Sequence, residues 1–292
     1  ALVELGHRVT FIVPEKLGLG SFADVVTCKK NQDLSEAIPS DADIVHFNAT
    51  PSEIVDRPFI VTIHGNGKPG EVFHPNTVFI SKNHAARHSS EAFVYNGIDP
   101  EDYPEPGNKE REDYLYFLAK SRWRVKNVRG AIRVAKLSEW NLKIMGGWRP
   151  PFSKNVEWLG TIGGERKNEI LKRGSALLFP VRWHEPFGLA VIEALYTGSP
   201  VFGTPYGALK EIVTEEFGFL STSSEELAEA LKDLSRYNRE NCSKYVLSKF
   251  TNIHMAYEYL SYYEHVIKGK PINQNEPKSI TKSHPEKLLA FH

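Results

Sequence analysis

Cysteine is scarce: there are two in 292 residues, Cys28 and Cys242, with no Cys-x-x-Cys or Cys/His ligand spacing. That excludes a disulfide framework and a structural zinc site, and a reducing cytoplasm fits best. Excess charge of either sign is also missing. Lys plus Arg is 36 and Asp plus Glu is 36, so the formal net charge is zero. No global nucleic-acid footprint exists and no nucleic-acid partner is expected, although a balanced total leaves room for a local basic cleft. Long apolar runs are absent: none approaches the ~20 residues that span a bilayer. Peripheral contact with a membrane surface stays open. Two Asn-x-Ser/Thr sequons, at Asn48 and Asn241, are expected to be chance occurrences, because no signal-peptide pattern is seen.

What is present is core material. Apolar residues make up 41%, with 16 Phe, 12 Tyr and 5 Trp, enough to bury a core without disulfide or metal. At roughly 150 residues per domain the length suggests about two domains. Short β-branched and aromatic runs alternate with helical stretches. Expected strands are Arg8–Val13, Asp43–Phe47, Phe59–Ile63, Thr77–Ile80 and Phe93–Tyr95, then Tyr114–Ala119, Leu142–Met145, Val156–Leu159, Ala176–Phe179 and Pro200–Gly203. Expected helices are Val128–Leu137, Glu165–Lys172, Leu189–Tyr196, Glu225–Arg236 and Met255–Ile267. This alternation predicts parallel sheets with helices on both faces.

Residues 99–112, DPEDYPEPGNKERE, hold three prolines and no aliphatic residue, a linker signature. The expected organisation is a Rossmann-like domain over 1–106, a second over 112–250, a returning helix over 251–268 and a polar tail over 269–292. The chain opens on Ala1, inside what reads as a helix to Leu5 with no strand before it. A first strand is therefore expected to be missing.

The most informative stretch runs from Ala176 to Val213. A buried strand ends at Pro180, and a helix is expected to begin near Pro186, where proline suits the first turn. The amides of Phe187, Gly188 and Leu189 would then sit at an anion-binding helix start, with Gly188 admitting a phosphate close to the backbone. Glu185 and Glu193 flank it. Measured along a helix at 1.5 Å per residue they stand about 12 Å apart, too far for a glycosidase pair, whose carboxyls lie ~5 to ~9.5 Å apart. They suit a grip on a long ligand at two points.

Here the sequence resembles the retaining glycosyltransferases of family 4. Glu185–x7–Glu193 in the setting EPFGLAVIEAL looks like the family signature. GSPVFGTPYGALKEIV is similar to the stretch ending Gly-Gly-x-x-Glu, with Ala208 for the second Gly. Val156 to Gly160 resembles the strand–Leu-Gly turn, and Asn96-Gly97-Ile98-Asp99 the element closing the first domain. Val61-Thr62-Ile63-His64 resembles the strand ending in an active-site histidine, and Leu5 to Val9 the Gly-His-x-Val after the first helix. The landmarks run in family order from residue 1 to about 265.

The resemblance implies a GT-B fold: two Rossmann-like, doubly wound parallel-sheet domains facing a cleft. It implies transfer of a hexosyl group from a UDP- or GDP-linked sugar to a carbohydrate, lipid-linked or small-molecule acceptor, with retention of anomeric configuration. Glu193 would bond the ribose, Glu185 and His64 the transferring sugar, and the amides of Phe187, Gly188 and Leu189 the diphosphate or sugar. Lys126 fits the family lysine, and the arginine position falls on Lys120 or Arg122; Gly160 belongs to the donor-side turn. No further cofactor is expected. Asp41 and Asp43, a DxD pair, read as loop and cap residues, so no metal is expected. Trp123, Trp148, Trp158 and Trp183 read as core or loop anchors. A nucleotide-sugar epimerase of the same fold and a non-catalytic sugar-nucleotide binding subunit remain as alternatives.

Overall fold

The computed structural model describes residues 1–14, 23–29, 32–53, 55–104, 111–147 and 154–292. The first half runs β1 (Thr10–Val13), β2 (Asp24–Thr27), α1 (Leu34–Ala37), β3 (Val45–Phe47), β4 (Phe59–Ile63), β5 (Thr77–Phe79) and α2 (Lys82–Ala86). The second runs β6 (Tyr114–Leu118), α3 (Val128–Leu137), β7 (Asn141–Met145), β8 (Val156–Trp158), α4 (Gly164–Arg173), β9 (Ala176–Phe179) and α5 (Leu189–Tyr196). It continues through β10 (Val201–Gly203), α6 (Leu209–Ile212), β11 (Gly218–Leu220), α7 (Ser224–Ala230), α8 (Arg239–Lys249) and α9 (Asn252–Ile267).

Every pairing between these strands is parallel among the described residues. The second-half sheet has the order β11-β10-β9-β6-β7-β8. Chain order reverses between β6 and β9, so their carboxyl ends open the crevice where open α/β sheets bind ligands. Two clusters cover the faces of this sheet. Ile192 and Leu195 of α5 with Cys242 and Val246 of α8 lie in one, and Val128, Ala131 and Val134 of α3 with Leu227 of α7 in the other. Burial on both faces explains the uninterrupted apolar run of β9, all four residues of which are buried.

The first half differs from the single sheet expected. Among the described residues it forms a two-stranded β1-β2 pair and a three-stranded β3-β4-β5 sheet. Residues 1–5 make a turn rather than a helix, since so short a segment closes only one i→i+4 bond, Leu5 N to Ala1 O at 2.9 Å. Phe93–Tyr95 contributes only a bridge between Phe93 and Phe79. β2, β11 and α8 were not foreseen. α8, RENCSKYVLSK, has no continuous apolar stripe, and β11 is three residues opening on glycine.

The chain crosses between the halves twice, and the crossings pair. Ile98 N donates to Phe250 O at 2.9 Å, and Asn252 N to Ile98 O at 2.7 Å. A Cβ on Gly97 would stand 2.2 Å from Thr251 O, so only glycine allows this approach. After the second crossing α9 covers the first half: Tyr259, Tyr263 and Val266 pack on Ile60 and Val78. The linker's beginning, Pro100–Asp102, is a 3-10 turn held against α4, where Asn168 Nδ2 donates to Asp102 O at 2.7 Å. Linker residues 105–110 and Trp148 lie outside the described residues.

The segment after α9 docks on both halves. Val72 and Lys278 form an antiparallel bridge, and Asn273 is buried, donating to Pro75 O and Thr77 O. Farther on, Leu289 N donates to Arg182 O at 2.8 Å, and Phe291 packs beside α3.

Candidate active site

The loops after β6 and β9 lie side by side because their strands pair. Arg182 N donates to Val125 O at 2.7 Å and locks the two loops together. That places Lys126 Nζ 2.7 Å from Glu185 Oε2, the same oxygen that accepts Trp183 Nε1 at 2.7 Å. Lys126 Nζ also stands 5.5, 5.3 and 4.9 Å from the ring centroids of Trp123, Phe179 and Trp183. Aromatic faces attract a cation, most strongly where water is excluded. The side chains are only 12% and 7% exposed. Such a desolvated pair holds its geometry, because breaking it leaves a buried charge alone.

The helix start differs in detail from the expectation. α5 begins at Leu189, three residues beyond Pro186, because Gly188 takes φ 104°, a left-handed conformation that glycine adopts at little cost. No side chain caps this start. Pro186 instead gives its carbonyl to Ser81 Oγ of the first half at 2.6 Å. Phe187 buries its ring against Tyr95 and Phe250, which leaves only its backbone at the helix start. Leu189 is exposed. Glu185 precedes the helix in an extended bridge with Gly207, so the helical ruler applied to Glu185 and Glu193 does not hold.

Glu193, on α5, sits in a separate cluster. Its Oε1 accepts Tyr103 OH at 2.6 Å and Lys167 Nζ at 2.9 Å. Burial, then the bond to Glu193, raises the Tyr103 pKa and keeps that phenol a donor. Gly160 follows β8 with φ 74° and accepts Gly146 N at 2.8 Å. Lys120 and Arg122 are exposed on the β6 loop.

His64 follows β4 and bonds Asn48 Oδ1 at 3.2 Å through Nε2; burial lowers its pKa. No hydrogen bond joins it to the Lys126–Glu185 pair among the described residues. Two residues on, Asn66 Nδ2 donates to His184 O at 2.8 Å and links the halves beside Glu185. A second link is Glu211, whose carboxylate accepts Asn83 N at 2.5 Å, Lys82 N at 3.1 Å and Tyr95 OH at 2.9 Å. Burial, then the Arg87 charge, depresses the His184 pKa to about 4. Asp41 pairs with Arg8. Among the described residues no three His, Cys, Asp or Glu side chains group as metal ligands.

Sequence reasoning missed Trp183, Tyr103, Lys167 and Glu211. Glu211 was visible as the last residue of the Gly-Ala-x-x-Glu stretch. Trp183 was read as an anchor although it stands two residues from Glu185.

Two facing parallel α/β halves, with an uncapped helix start and a buried Lys–Glu pair at the sheet's switch point, define a GT-B glycosyltransferase fold. The chain belongs to the group 1 glycosyl transferases, whose family model matches residues 99–247. It is 22% identical to AviGT4, a glycosyltransferase involved in avilamycin A biosynthesis, with TM-score 0.80 over 92% of this chain and 87% of that one. It shares TM-score 0.60 and 14% identity with Anabaena Alr3699/HepE in complex with UDP-glucose, covering 89% and 91% of the two chains. A probable sucrose-phosphate synthase of Thermosipho melanesiensis is 40% identical over 85 residues, 28% of this chain. The match spans 20% of that relative's length, and 40% of a second curated relative, an uncharacterized protein of Klebsiella pneumoniae.

Proposed function

We propose that this chain transfers a hexosyl group from a UDP- or GDP-linked sugar to an acceptor hydroxyl with retention of anomeric configuration. The observation that carries the reading is the Lys126–Glu185 pair beside the uncapped start of α5. The departing diphosphate develops negative charge as the sugar C1–O bond breaks. Lys126 and the amides of Gly188 and Leu189 are the preorganised donors that meet it. Lys120 and Arg122 supply further positive charge from the β6 loop. Glu185 and His64 bind the transferring sugar, and Glu193, held by Tyr103 and Lys167, binds the ribose hydroxyls.

No carboxylate is placed as a covalent nucleophile in this reading. The acceptor oxygen attacks C1 on the face the phosphate leaves, and its proton passes to the departing phosphate oxygen. The positive charge comes from the chain, so the reading invokes no metal, and transfer is expected to survive EDTA.

The test is incubation with UDP- and GDP-hexoses, with and without hydroxyl acceptors. Release of nucleoside diphosphate that depends on acceptor, with the product's anomeric configuration unchanged by NMR, supports the proposal. A changed sugar nucleotide formed without acceptor would instead mark an epimerase. No turnover despite nucleotide binding would mark a binding subunit.

A further inference from the structure

Beside the donor grip, a cavity of about 430 Å³ opens between the β6 loop, the first turn of α3 and Arg182, with Leu288 on its rim. Of the residues assigned to the donor only Arg122 lines it; Lys126, Glu185, Gly188 and Glu193 do not. Four arginines do, Arg122, Arg124, Arg129 and Arg182, and among the described residues no acidic one does; Glu286 accepts Trp123 Nε1 at 3.1 Å beside it. Arg122, Arg124 and Arg129 form no ion pair with any described residue. Arg182 spends its Nε on Leu289 O at 2.7 Å.

Four like charges around one cavity repel one another, and the chain as a whole carries no net charge to explain them. An anion in the cavity reverses that repulsion. Guanidinium forks match phosphate oxygens two at a time. The ten-residue helix α3 opens on the same space through Asn127, Val128 and Arg129, adding the positive end of its dipole. Trp123 lines the cavity and also stands 5.5 Å from Lys126 Nζ, so the cavity adjoins the donor grip.

We propose that this cavity binds the phosphate of a phosphorylated acceptor, either a sugar phosphate or a lipid phosphate, beside the donor. The acceptor assignment rests on the transfer reading; the anion site does not. Phosphate bound here orients the acceptor and offsets the charge of the arginines that line the cavity.

The test uses the whole chain and the double variant Arg124→Ala/Arg129→Ala, which removes two exposed side chains outside the donor grip. Binding of inorganic phosphate and of a hexose phosphate is measured by calorimetry, with and without saturating UDP or GDP. Binding that persists with the nucleotide present, and weakens at least about tenfold in the variant, is expected. Nucleotide affinity should stay within about twofold. Sedimentation with phosphatidylglycerol vesicles against phosphatidylcholine vesicles separates the sources: variant-sensitive vesicle binding assigns a lipid phosphate, and hexose phosphate binding alone a small acceptor. Competition between phosphate and nucleotide would overturn the proposal by placing the anion at the donor site, and so would binding to neither probe nor vesicle. If neither nucleotide binds, the transfer reading fails, while the phosphate measurements still decide the cavity.

Discussion

Tyr103 donates a 2.6 Å hydrogen bond to Glu193 Oε1, tying the segment that leaves the first half to the helix that opens on the sheet's crevice. Lys167 shares that oxygen at 2.9 Å, and its Nζ stands 5.0 Å from the Tyr103 ring centroid. Both bonds fall on Oε1. In the proposed reading Oε2 is the oxygen that meets the ribose.

Tyr103→Phe should therefore weaken nucleotide binding by about three- to tenfold, since it loosens Glu193 by one hydrogen bond while Lys167 still holds it, with little change in kcat. Glu193→Ala should weaken it further. Calorimetric titration with UDP and GDP checks both. Wild-type affinity in the Glu193 variant would remove that residue from the ribose.

Glu185→Gln keeps an acceptor for Trp183 and Lys126 but removes the charge. Turnover is expected to fall by roughly 10²-fold or more, with free-nucleotide affinity nearly intact. Lys126→Met strands Glu185 in a buried site and should cost stability, on the order of 3–5 kcal/mol by analogy with other broken buried pairs. Denaturant melts read the second effect. Equal losses of affinity and turnover in the Glu185 variant would count against its place at the sugar.

Burial holds three histidines neutral in the folded state: it depresses the pKa of His46 to about 4, of His84 to about 3 and of His184 to about 4, from the usual 6.5. The unfolded chain binds protons that the native one refuses, so stability rises with pH through this window. It should be complete above about pH 6.5 and decline as pH falls toward 4. His46 bonds Tyr263 OH and Thr62 Oγ1, each at 2.7 Å. His46→Gln should lower the melting temperature at pH 7.5 but flatten its slope below pH 6.5. A variant slope as steep as wild type would exclude His46 as a contributor.

Glu211 caps α2 across the two halves and holds Tyr95. Glu211→Ala should widen the molecule in solution scattering and lower transfer, while nucleotide affinity, which the proposal assigns to the second half, changes little. An unaltered scattering profile with full activity would show that Ser81–Pro186 and Asn66–His184 suffice to hold the halves.

The sequence by itself determined the alternation of strands and helices, the parallel sheets, and the order of landmarks from Gly6 to Glu211. Those are local features: a strand repeats every two residues, a helix every 3.6, and a glycine or proline marks its own turn. It brought Glu185 and Glu193 to notice by spacing but misjudged their relation, because Glu185 lies in an extended bridge outside α5. Tertiary structure decided the partners. Lys126 and Glu185 are 59 residues apart, Tyr103 and Glu193 are 90, and both pairs exist because β9 was laid beside β6 and the linker was packed on α4. Periodicity reports only what lies one turn or one strand away. Which loops become neighbours is set by strand order, through burial of the whole sheet, and no local pattern carries that choice.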